Sequence, residues 1–173
     1  MNELRAPIPL VELTRRISEV GADAVLADFG AFLLVGETDQ EEGSGWAFAT
    51  SAMVSPSVAT ELGAGFDFDR GVVHVIEKRT TTFPNVILVG RSRSNDVQIE
   101  HHSISKLHAR IRLKGDAFEL EDAGSMNGTW VAGQRVEAPI TVGSGDRIGF
   151  GVREFTVQRS KVFVDVLRRI GPV

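Results

Sequence analysis

The sequence predicts a mainly β protein, in which a sandwich of short strands follows an N-terminal α/β extension and precedes a C-terminal helix. From residue 72 onward, short runs rich in β-branched and aromatic residues follow one another closely. Glycine, asparagine and aspartate, which favour turns, separate these runs. Many short strands at such spacing are typical of an all-β sandwich. We therefore divide the chain into residues 1–70, an acidic extension or small subdomain, residues 71–158, the sandwich domain, and residues 159–173, the helix.

The N-terminal part begins with an amphipathic helical pattern. Four apolar residues of "IPLVELTRRISEVGAD" recur at helical spacing and therefore share one face. They are Leu10, Leu13, Ile17 and Val20. Gly21 suits the end of this helix. The next segment, "AVLADFGAFLLVGE", fits a second short helix that runs into a strand.

The rest of residues 1–70 is acidic and rich in small residues. The segment "ETDQEEGSG" is typical of a solvated loop, "WAFATSAMV" fits a strand, and "SPSVATELGAGFDFDRG" fits a connection. The pattern leaves open whether residues 1–70 form a separate subdomain or pack on the sandwich.

The sandwich strands and the last helix follow in order. The predicted strands are "VVHVIEKR", "NVILVG", "DVQI", "HARIRLKG", "AFELED", "GTWVAG", "ITV", "DRIGFG" and "REFTVQR". In the tail, "KVFVDVLRRIG" repeats its apolar residues at helical spacing. These residues are Phe163, Val166, Leu167 and Ile170. Their face can cover the back of the sandwich, meet the first helix or bind a partner.

Composition limits what the protein can do. The 173 residues contain no cysteine, which excludes disulfides, thiolate nucleophiles and cysteine-bound metals. No apolar run is long enough to span a membrane, and the N-terminus lacks a signal-peptide pattern, so we expect a cytoplasmic protein. Residues 1–70 carry 4 Lys and Arg against 12 Asp and Glu (−8), and residues 71–173 carry 15 against 11 (+4). On composition alone this asymmetry favours a solvated surface with uneven charge; the alternative is that the second part attracts the first, or other anions.

The residues that bear on function lie in predicted turns: "GRSRSNDV" at 90–97, "HHSISKLHARI" at 101–111 and "AGSMNGTWVAG" at 123–133. Each is ordinary turn chemistry by itself. In this order and spacing they resemble the forkhead-associated (FHA) domain family, whose pattern is Gly-Arg, then Ser-x-x-His, then Asn-Gly. The resemblance covers residues from about 72 to 158. The matching positions are Gly90-Arg91, Ser105-Lys106-Leu107-His108 and Asn127-Gly128.

The resemblance implies two twisted antiparallel sheets, with loops at one end that bind phosphothreonine in an extended peptide. It implies that Arg91 and Ser105 contact the phosphate and that Asn127 holds the peptide main chain. The chemistry of these residues agrees. A phosphate group is doubly or nearly doubly charged and accepts strong hydrogen bonds. Arg91 is a permanent cation with a planar fork of donors, and the amide of Asn127 both donates and accepts.

The same resemblance assigns structural support to three further residues. His108 would brace the loop beneath the site. Gly90 and Gly128 would permit turns and close packing, because glycine has no Cβ.

Two positions depart from the commonest family pattern. Lys106 stands where the family often has Asn or Arg, which keeps a cation near the phosphate but loses planar hydrogen bonding. Met126 stands where the family often has Thr or Ser, which removes one hydroxyl donor worth roughly 0.5–1.5 kcal/mol. Met126 can instead line a pocket for the threonine methyl group. Both residues belong to the predicted phosphopeptide-binding set.

Catalysis and metal binding are disfavoured. Ser105 and His108 could be imagined as a hydrolase pair, but no orienting carboxylate or oxyanion loop accompanies them. The adjacent His101 and His102 are expected on opposite faces of a strand, and no cysteine joins them. We expect no enzyme activity, no metal and no cofactor.

The predicted function is a phosphothreonine-peptide-binding adaptor module in Ser/Thr kinase signalling. The implied partner is a protein phosphorylated on threonine, either a Ser/Thr kinase or its substrate, and we expect no nucleic-acid or membrane partner. The alternative is a phosphate-independent interaction scaffold that uses the same fold. The two differ at Arg91, whose loss only a reader of phosphothreonine should fail to tolerate. The sequence leaves the oligomeric state open.

Overall fold

A computed structural model describes residues 6–38, 66–81 and 83–170 of the chain. The strand expected in "WAFATSAMV" and most of the acidic loop "ETDQEEGSG" lie outside the described residues. Within them, the protein is mainly β and consists of two sheets, with helices near both ends of the chain.

The larger sheet has seven strands and draws on both ends of the chain. Its strands are β1 (Ile8–Pro9), β2 (Phe32–Glu37), β3 (Gly71–Ile76), β8 (Thr129–Val131), β9 (Gln134–Arg135), β11 (Arg147–Phe150) and β12 (Arg153–Arg159). They lie in the order β1-β3-β2-β12-β11-β8-β9, and all neighbouring pairs are antiparallel.

The smaller sheet has five strands in the order β10-β7-β6-β4-β5. These strands are β4 (Ile87–Gly90), β5 (Val97–Gln98), β6 (Ala109–Lys114), β7 (Ala117–Asp122) and β10 (Ile140–Val142). Only the short pair of β4 and β5 is parallel; the others are antiparallel. The predicted two-sheet sandwich is therefore confirmed, with this one parallel pair as an exception to a purely antiparallel arrangement.

Strand β2 lies inside the larger sheet. It pairs with β12 on one side and β3 on the other, with Leu34 opposite both Val157 and His74. Residues 1–70 therefore contribute a central strand to the sandwich as well as an N-terminal helical layer. The division of the chain at residue 71 stays a prediction, but the sheet itself extends across it.

The space between the sheets forms the main hydrophobic core. Strands of both sheets supply fully buried side chains to it, including the edge-to-face pair Phe32 and Phe118, whose ring centroids are 5.4 Å apart. Phe150 and Phe155 from the larger sheet extend the core towards the loops. Burial of such rings is the main stabilising contribution of this layer.

Three helices cover the outer face of the larger sheet. They are α1 (Leu10–Val20), α2 (Ala22–Ala27) and α3 (Ser160–Ile170). Their apolar faces form a second core with Leu33 and Val35 of β2 and Val73 and Val75 of β3. Because alternate residues of these strands enter the two cores, both strands are buried on both faces, which explains their nearly continuous apolar sequences.

The amphipathic faces predicted for α1 and α3 are packing faces. Leu10, Leu13 and Ile17 are buried in the second core, together with Phe163 and Leu167. Val20 is an exception, because it lies at the end of α1 with 60% of its surface exposed. The C-terminal helix therefore meets both the back of the sheet and the first helix.

Candidate functional site

The loop after β4 lies directly against the loop after β5. Backbone amides of Arg91 and Ser92 donate to the carbonyl oxygens of Ser105 and Lys106, at 3.0 and 3.2 Å. A Cβ at Gly90 would lie only 2.4 Å from the Lys106 carbonyl oxygen. Glycine is therefore required at this position by close backbone approach.

Asn95 locks the same two loops together. Its side chain is buried, and its Nδ2 donates to the carbonyl oxygens of Lys106 at 2.6 Å and of Ser92 at 2.9 Å. From its sequence context, Asn95 is an ordinary turn asparagine. The sequence feature that indicates its structural role is the Asn-Asp pair, because side chains of Asn and Asp in turns commonly hydrogen-bond to nearby backbone groups.

Asp96 anchors the base of the first loop. One carboxylate oxygen accepts from the backbone amides of Arg79 and Thr80, and the other accepts from Lys78 Nζ and the Leu88 amide, all at 2.6–2.8 Å. Burial alone would raise the pKa of Asp96, but these hydrogen bonds outweigh it and hold the pKa below its ordinary value. The carboxylate is therefore a charged structural clamp.

One of the three guanidinium nitrogens of Arg91 forms a hydrogen bond within the protein, and the two terminal nitrogens remain for a ligand. Its Nε donates to the carbonyl oxygen of Ile104 at 3.0 Å, which fixes the plane of the group. The residue is exposed, and within the described parts of the chain no carboxylate pairs with it. Its terminal amino groups are thus available to an anion.

The hydroxyl of Ser105 is oriented to donate. Its Oγ accepts a hydrogen bond from the backbone amide of Met126 at 3.0 Å. Because an amide can only donate, the hydroxyl proton of Ser105 remains free for another acceptor. The contact also joins the second loop to the third.

His108 braces the site from below, in a defined tautomer. Its Nδ1 accepts from the backbone amide of Ser105 at 3.1 Å, so its Nε2 carries the proton and donates to the carbonyl of Gly128 at 3.0 Å. Burial lowers the pKa of His108, although the Gly128 carbonyl and the charge of Asp122 act in the opposite direction. The ring is therefore neutral, and its edge meets Phe150 at a centroid distance of 5.5 Å.

Asp122 organises the third loop in the way that Asp96 organises the first. Its carboxylate accepts from the amides of Gly124 and Ser125 at 2.9 Å, and from the hydroxyls of Ser125 and Thr129 at 2.6 Å. Burial raises the pKa of Asp122, but these hydrogen bonds outweigh burial and lower it. Nothing in the sequence points to Asp122, because it lies at the end of a strand, outside the family motif.

Gly128 requires the conformational freedom of glycine, with φ at +87°. Its amide donates to Ser125 Oγ at 2.9 Å, and its carbonyl accepts from the Gly151 amide at 3.0 Å as well as from His108. Both the amide and the carbonyl of Gly128 are therefore hydrogen-bonded, which fixes the turn after Asn127.

The side-chain amide of Asn127 forms one hydrogen bond within the protein and keeps its other hydrogen-bonding groups available. Its Nδ2 donates to the carbonyl oxygen of the buried Ser103 at 2.8 Å. The second amide hydrogen and the carbonyl oxygen of the side chain remain, and together they match the donor and acceptor of a peptide backbone.

Lys106 and Met126 are the two remaining residues of the predicted site, and they lie at its surface. Both are exposed, and Met126 has 86% of its surface in solvent. Neither side chain is needed by the fold around it, although the Met126 amide and the Lys106 carbonyl belong to the loop network. Their side chains are free to meet a ligand.

The geometry argues against a Ser-His catalytic pair. His108 Nδ1 bonds to the amide of Ser105 and Nε2 bonds to Gly128, so neither nitrogen is aimed at the Ser105 hydroxyl. The arrangement of His101 and His102 differs from the expectation, because both lie in a turn and their rings are 4.2 Å apart rather than on opposite faces. Among the described residues, no three side chains of the metal-binding types cluster together.

The fold and the loops define a class of protein: a two-sheet β-sandwich with a polar, cationic surface formed by loops at one end. Residues 87–151 of the chain match the family model described as "FHA domain". Strands β2, β3 and β12 of the larger sheet lie entirely outside that match.

Two curated relatives are regulators by name. The chain is 29% identical over 118 residues to the oxoglutarate dehydrogenase inhibitor of Corynebacterium diphtheriae, across 65% of this chain and 75% of that protein. It is 34% identical over 62 residues to the glycogen accumulation regulator GarA of Mycolicibacterium smegmatis, across 36% of this chain and 39% of that protein. The chain therefore matches well under half of GarA.

Solved structures of FHA domains are also similar to the chain. The N-terminal FHA domain of S. cerevisiae Rad53p, solved with a phosphothreonine peptide, is 24% identical with a TM-score of 0.43, across 54% of this chain and 88% of that one.

In the parts of the chain that the structure describes, no helix is both long enough and apolar enough to span a membrane.

Proposed function

We propose that the protein is a phosphothreonine-peptide-binding adaptor module in Ser/Thr kinase signalling. The observation that carries this proposal is the convergence of the Arg91 guanidinium, the Ser105 hydroxyl and the Asn127 amide on loops that hydrogen-bond directly to one another. Each of the three groups is fixed by one internal hydrogen bond and keeps another donor free. Such preorganisation lowers the entropic cost of binding.

Arg91 and Ser105 would hold the phosphate, with Lys106 as a second cation. Charge-assisted hydrogen bonds to a phosphate are about twice as strong as neutral ones, and the arginine fork fits phosphate oxygens. Asn127 would bond to the peptide main chain and set its register. The exposed thioether of Met126 would contact the ligand next to the phosphate, where it replaces a hydroxyl donor of other family members. The partner would be a threonine-phosphorylated protein, either a kinase or a kinase substrate.

Peptide binding by the wild-type protein and by Arg91→Ala tests the proposal. We expect selective binding to a degenerate phosphothreonine library, and loss of roughly 1.5–3 kcal/mol or more of binding free energy in the variant. Unphosphorylated and phosphoserine libraries serve as controls. Arg147→Ala is the matched variant, because Arg147 is exposed and pairs with Glu154 on the sheet.

The competing function is a scaffold that binds partners without phosphate. The large exposed surface of Met126 favours it, since a thioether suits an apolar contact. A folded protein that ignores every phosphorylated library, or binds them equally after loss of Arg91, would favour the scaffold.

A further inference from the structure

Met126 is the most exposed large apolar side chain among the described residues, with 86% of its surface in solvent. The loop that carries it is nevertheless held by hydrogen bonds. The amide of Met126 donates to Ser105 Oγ, and the amide of Gly128 donates to Ser125 Oγ. The backbone is therefore fixed at this position, while the thioether has no packing role. A change confined to such an exposed side chain has little effect on stability.

Exposure also makes the sulfur of Met126 accessible to peroxides. Hydrogen peroxide oxidises a thioether by transfer of one oxygen atom. The sulfur forms a bond to that oxygen, the O–O bond breaks, and the displaced hydroxide takes up the proton of the transferred oxygen and leaves as water. The sulfur loses two electrons and the peroxide gains them. The product, methionine sulfoxide, is polar, and methionine sulfoxide reductases convert it back to the thioether.

The oxidised side chain would carry its new oxygen beside the serine of the candidate site. The amide nitrogen of Met126 lies 3.0 Å from Ser105 Oγ. Because an N–Cα bond is about 1.5 Å long, the Met126 Cα lies within about 4.5 Å of this hydroxyl oxygen. The methionine side chain has three rotatable bonds and adapts its direction easily. A sulfoxide oxygen on Met126 is therefore within reach of the Ser105 hydroxyl.

A sulfoxide at this position opposes the binding of phosphate. Its oxygen accepts hydrogen bonds and donates none, so the free proton of the Ser105 hydroxyl gains an acceptor within the protein. A phosphate group also presents acceptor oxygens, with a charge close to −2, and it is repelled by the negative end of the sulfoxide dipole. The reduced thioether has neither effect.

We propose that Met126 is a reversible oxidation site, and that its conversion to methionine sulfoxide weakens phosphopeptide binding by the protein. This inference rests on the proposed function. It gives the methionine at this position of the site a regulatory role, in which the reduced protein binds its partner and the oxidised protein releases it.

The test combines mass spectrometry with affinity measurements on the wild type and on Met126→Leu. Each full-length protein is treated with hydrogen peroxide, and peptide mass spectrometry gives the sulfoxide content at every methionine. Fluorescence anisotropy gives the dissociation constant for a phosphothreonine peptide before and after treatment. Leucine has a volume similar to that of methionine but no sulfur, and each protein is compared with its own untreated state. Incubation with both methionine sulfoxide reductases and a thiol reductant then measures reversal.

We expect oxidation of Met126 to raise the dissociation constant of the wild type about three- to tenfold. Reductase treatment should restore the original value. Met126→Leu should keep its own affinity after the same peroxide treatment, which separates the effect of Met126 from oxidation elsewhere in the chain.

Three results would overturn the oxidation site alone. They are unchanged affinity of a wild type fully oxidised at Met126, an equal loss of affinity in treated Met126→Leu, and failure of Met126 to oxidise under conditions that oxidise a short methionine peptide. In each case the untreated wild type would still bind and depend on Arg91, and the proposed function would stand. Absence of binding by the untreated protein to every phosphorylated peptide would overturn the proposed function and the oxidation switch together.

Discussion

The imidazole Nε2 of His108 lies 3.0 Å from the carbonyl oxygen of Gly128, and this hydrogen bond ties the second loop of the site to the third. The other ring nitrogen receives the amide of Ser105 at 3.1 Å. A single buried side chain therefore sets the position of the serine that would meet phosphate and of the turn that carries Asn127. The buried residue that supports the site therefore forms hydrogen bonds with defined partners, as the surface residues of the site would with a ligand.

Replacement of His108 by alanine should destabilise the protein and weaken phosphopeptide binding. The change leaves the buried Gly128 carbonyl without its His108 donor and opens a cavity, so we expect a loss of about 2–4 kcal/mol in the free energy of unfolding. Urea denaturation measures this loss. His102→Ala is the control, because His102 is exposed, and it should change stability by less than about 0.5 kcal/mol. A His108→Ala protein as stable as the control would contradict the bracing role.

Stability should fall as the pH falls from about 6.5 towards 4, chiefly because of His74. Its pKa is about 4 in the folded protein against 6.5 ordinarily, so the unfolded chain binds more protons in this interval. The contribution of His74 to the free energy of unfolding is complete above pH 6.5 and is lost progressively below it. It amounts to about 3 kcal/mol. The lowered pKa of His108 acts in the same direction. Unfolding free energies measured across this range should show a shallower slope in His74→Gln, and an unchanged slope would refute this assignment.

Gly90→Ala should be costly because the added methyl group would meet backbone, which cannot rotate away. The Lys106 carbonyl oxygen would be 2.4 Å from the new Cβ. We expect a loss of about 2 kcal/mol or more, by the physics of overpacking. Gly143→Ala is the matched control, since no atom lies within 4 Å of a Cβ there. Thermal unfolding of the two variants measures the difference, and equal melting temperatures would count against the close approach at Gly90.

A fragment that begins at residue 71 should fail to fold cooperatively. It lacks β2, so the edges of β3 and β12 would lose their partner and the second core would lose α1 and α2. Both strands would then expose unpaired backbone and apolar side chains. Circular dichroism during heating tests this prediction against the full chain. A sharp cooperative transition in the fragment would show that the sandwich is independent of the N-terminal part.

Sequence patterns predicted the main elements and the surface residues of the candidate site. Alternating turns and short apolar runs predicted the sandwich, and helical spacing in α1 and α3 predicted their buried faces. The spacing of Gly90-Arg91, Ser105 and Asn127 singled out the loops that the structure brings together. These are local signals, since turn chemistry and side-chain periodicity depend on neighbouring residues in the chain.

The supporting residues were not predictable in the same way. Asn95, Asp96 and Asp122 look like ordinary turn residues, and only the folded chain supplies the amides that make them clamps. The tautomer of His108 likewise depends on Ser105 and on Gly128, which is 20 residues away in sequence. Hydrogen-bond partners that are distant in sequence leave no periodic pattern.

By itself, the sequence determined the class of fold, the loops that carry the candidate site and the apolar faces of the helices. The tertiary structure decided that β2 enters the centre of the larger sheet, and that β2 and β3 are buried on both faces. It also decided that Arg93 and Arg153, 60 positions apart, line one cleft. The physical reason is that strand order and sheet packing arise from the cooperative burial of surfaces distant in sequence, whereas helices and turns are encoded by residues a few positions apart.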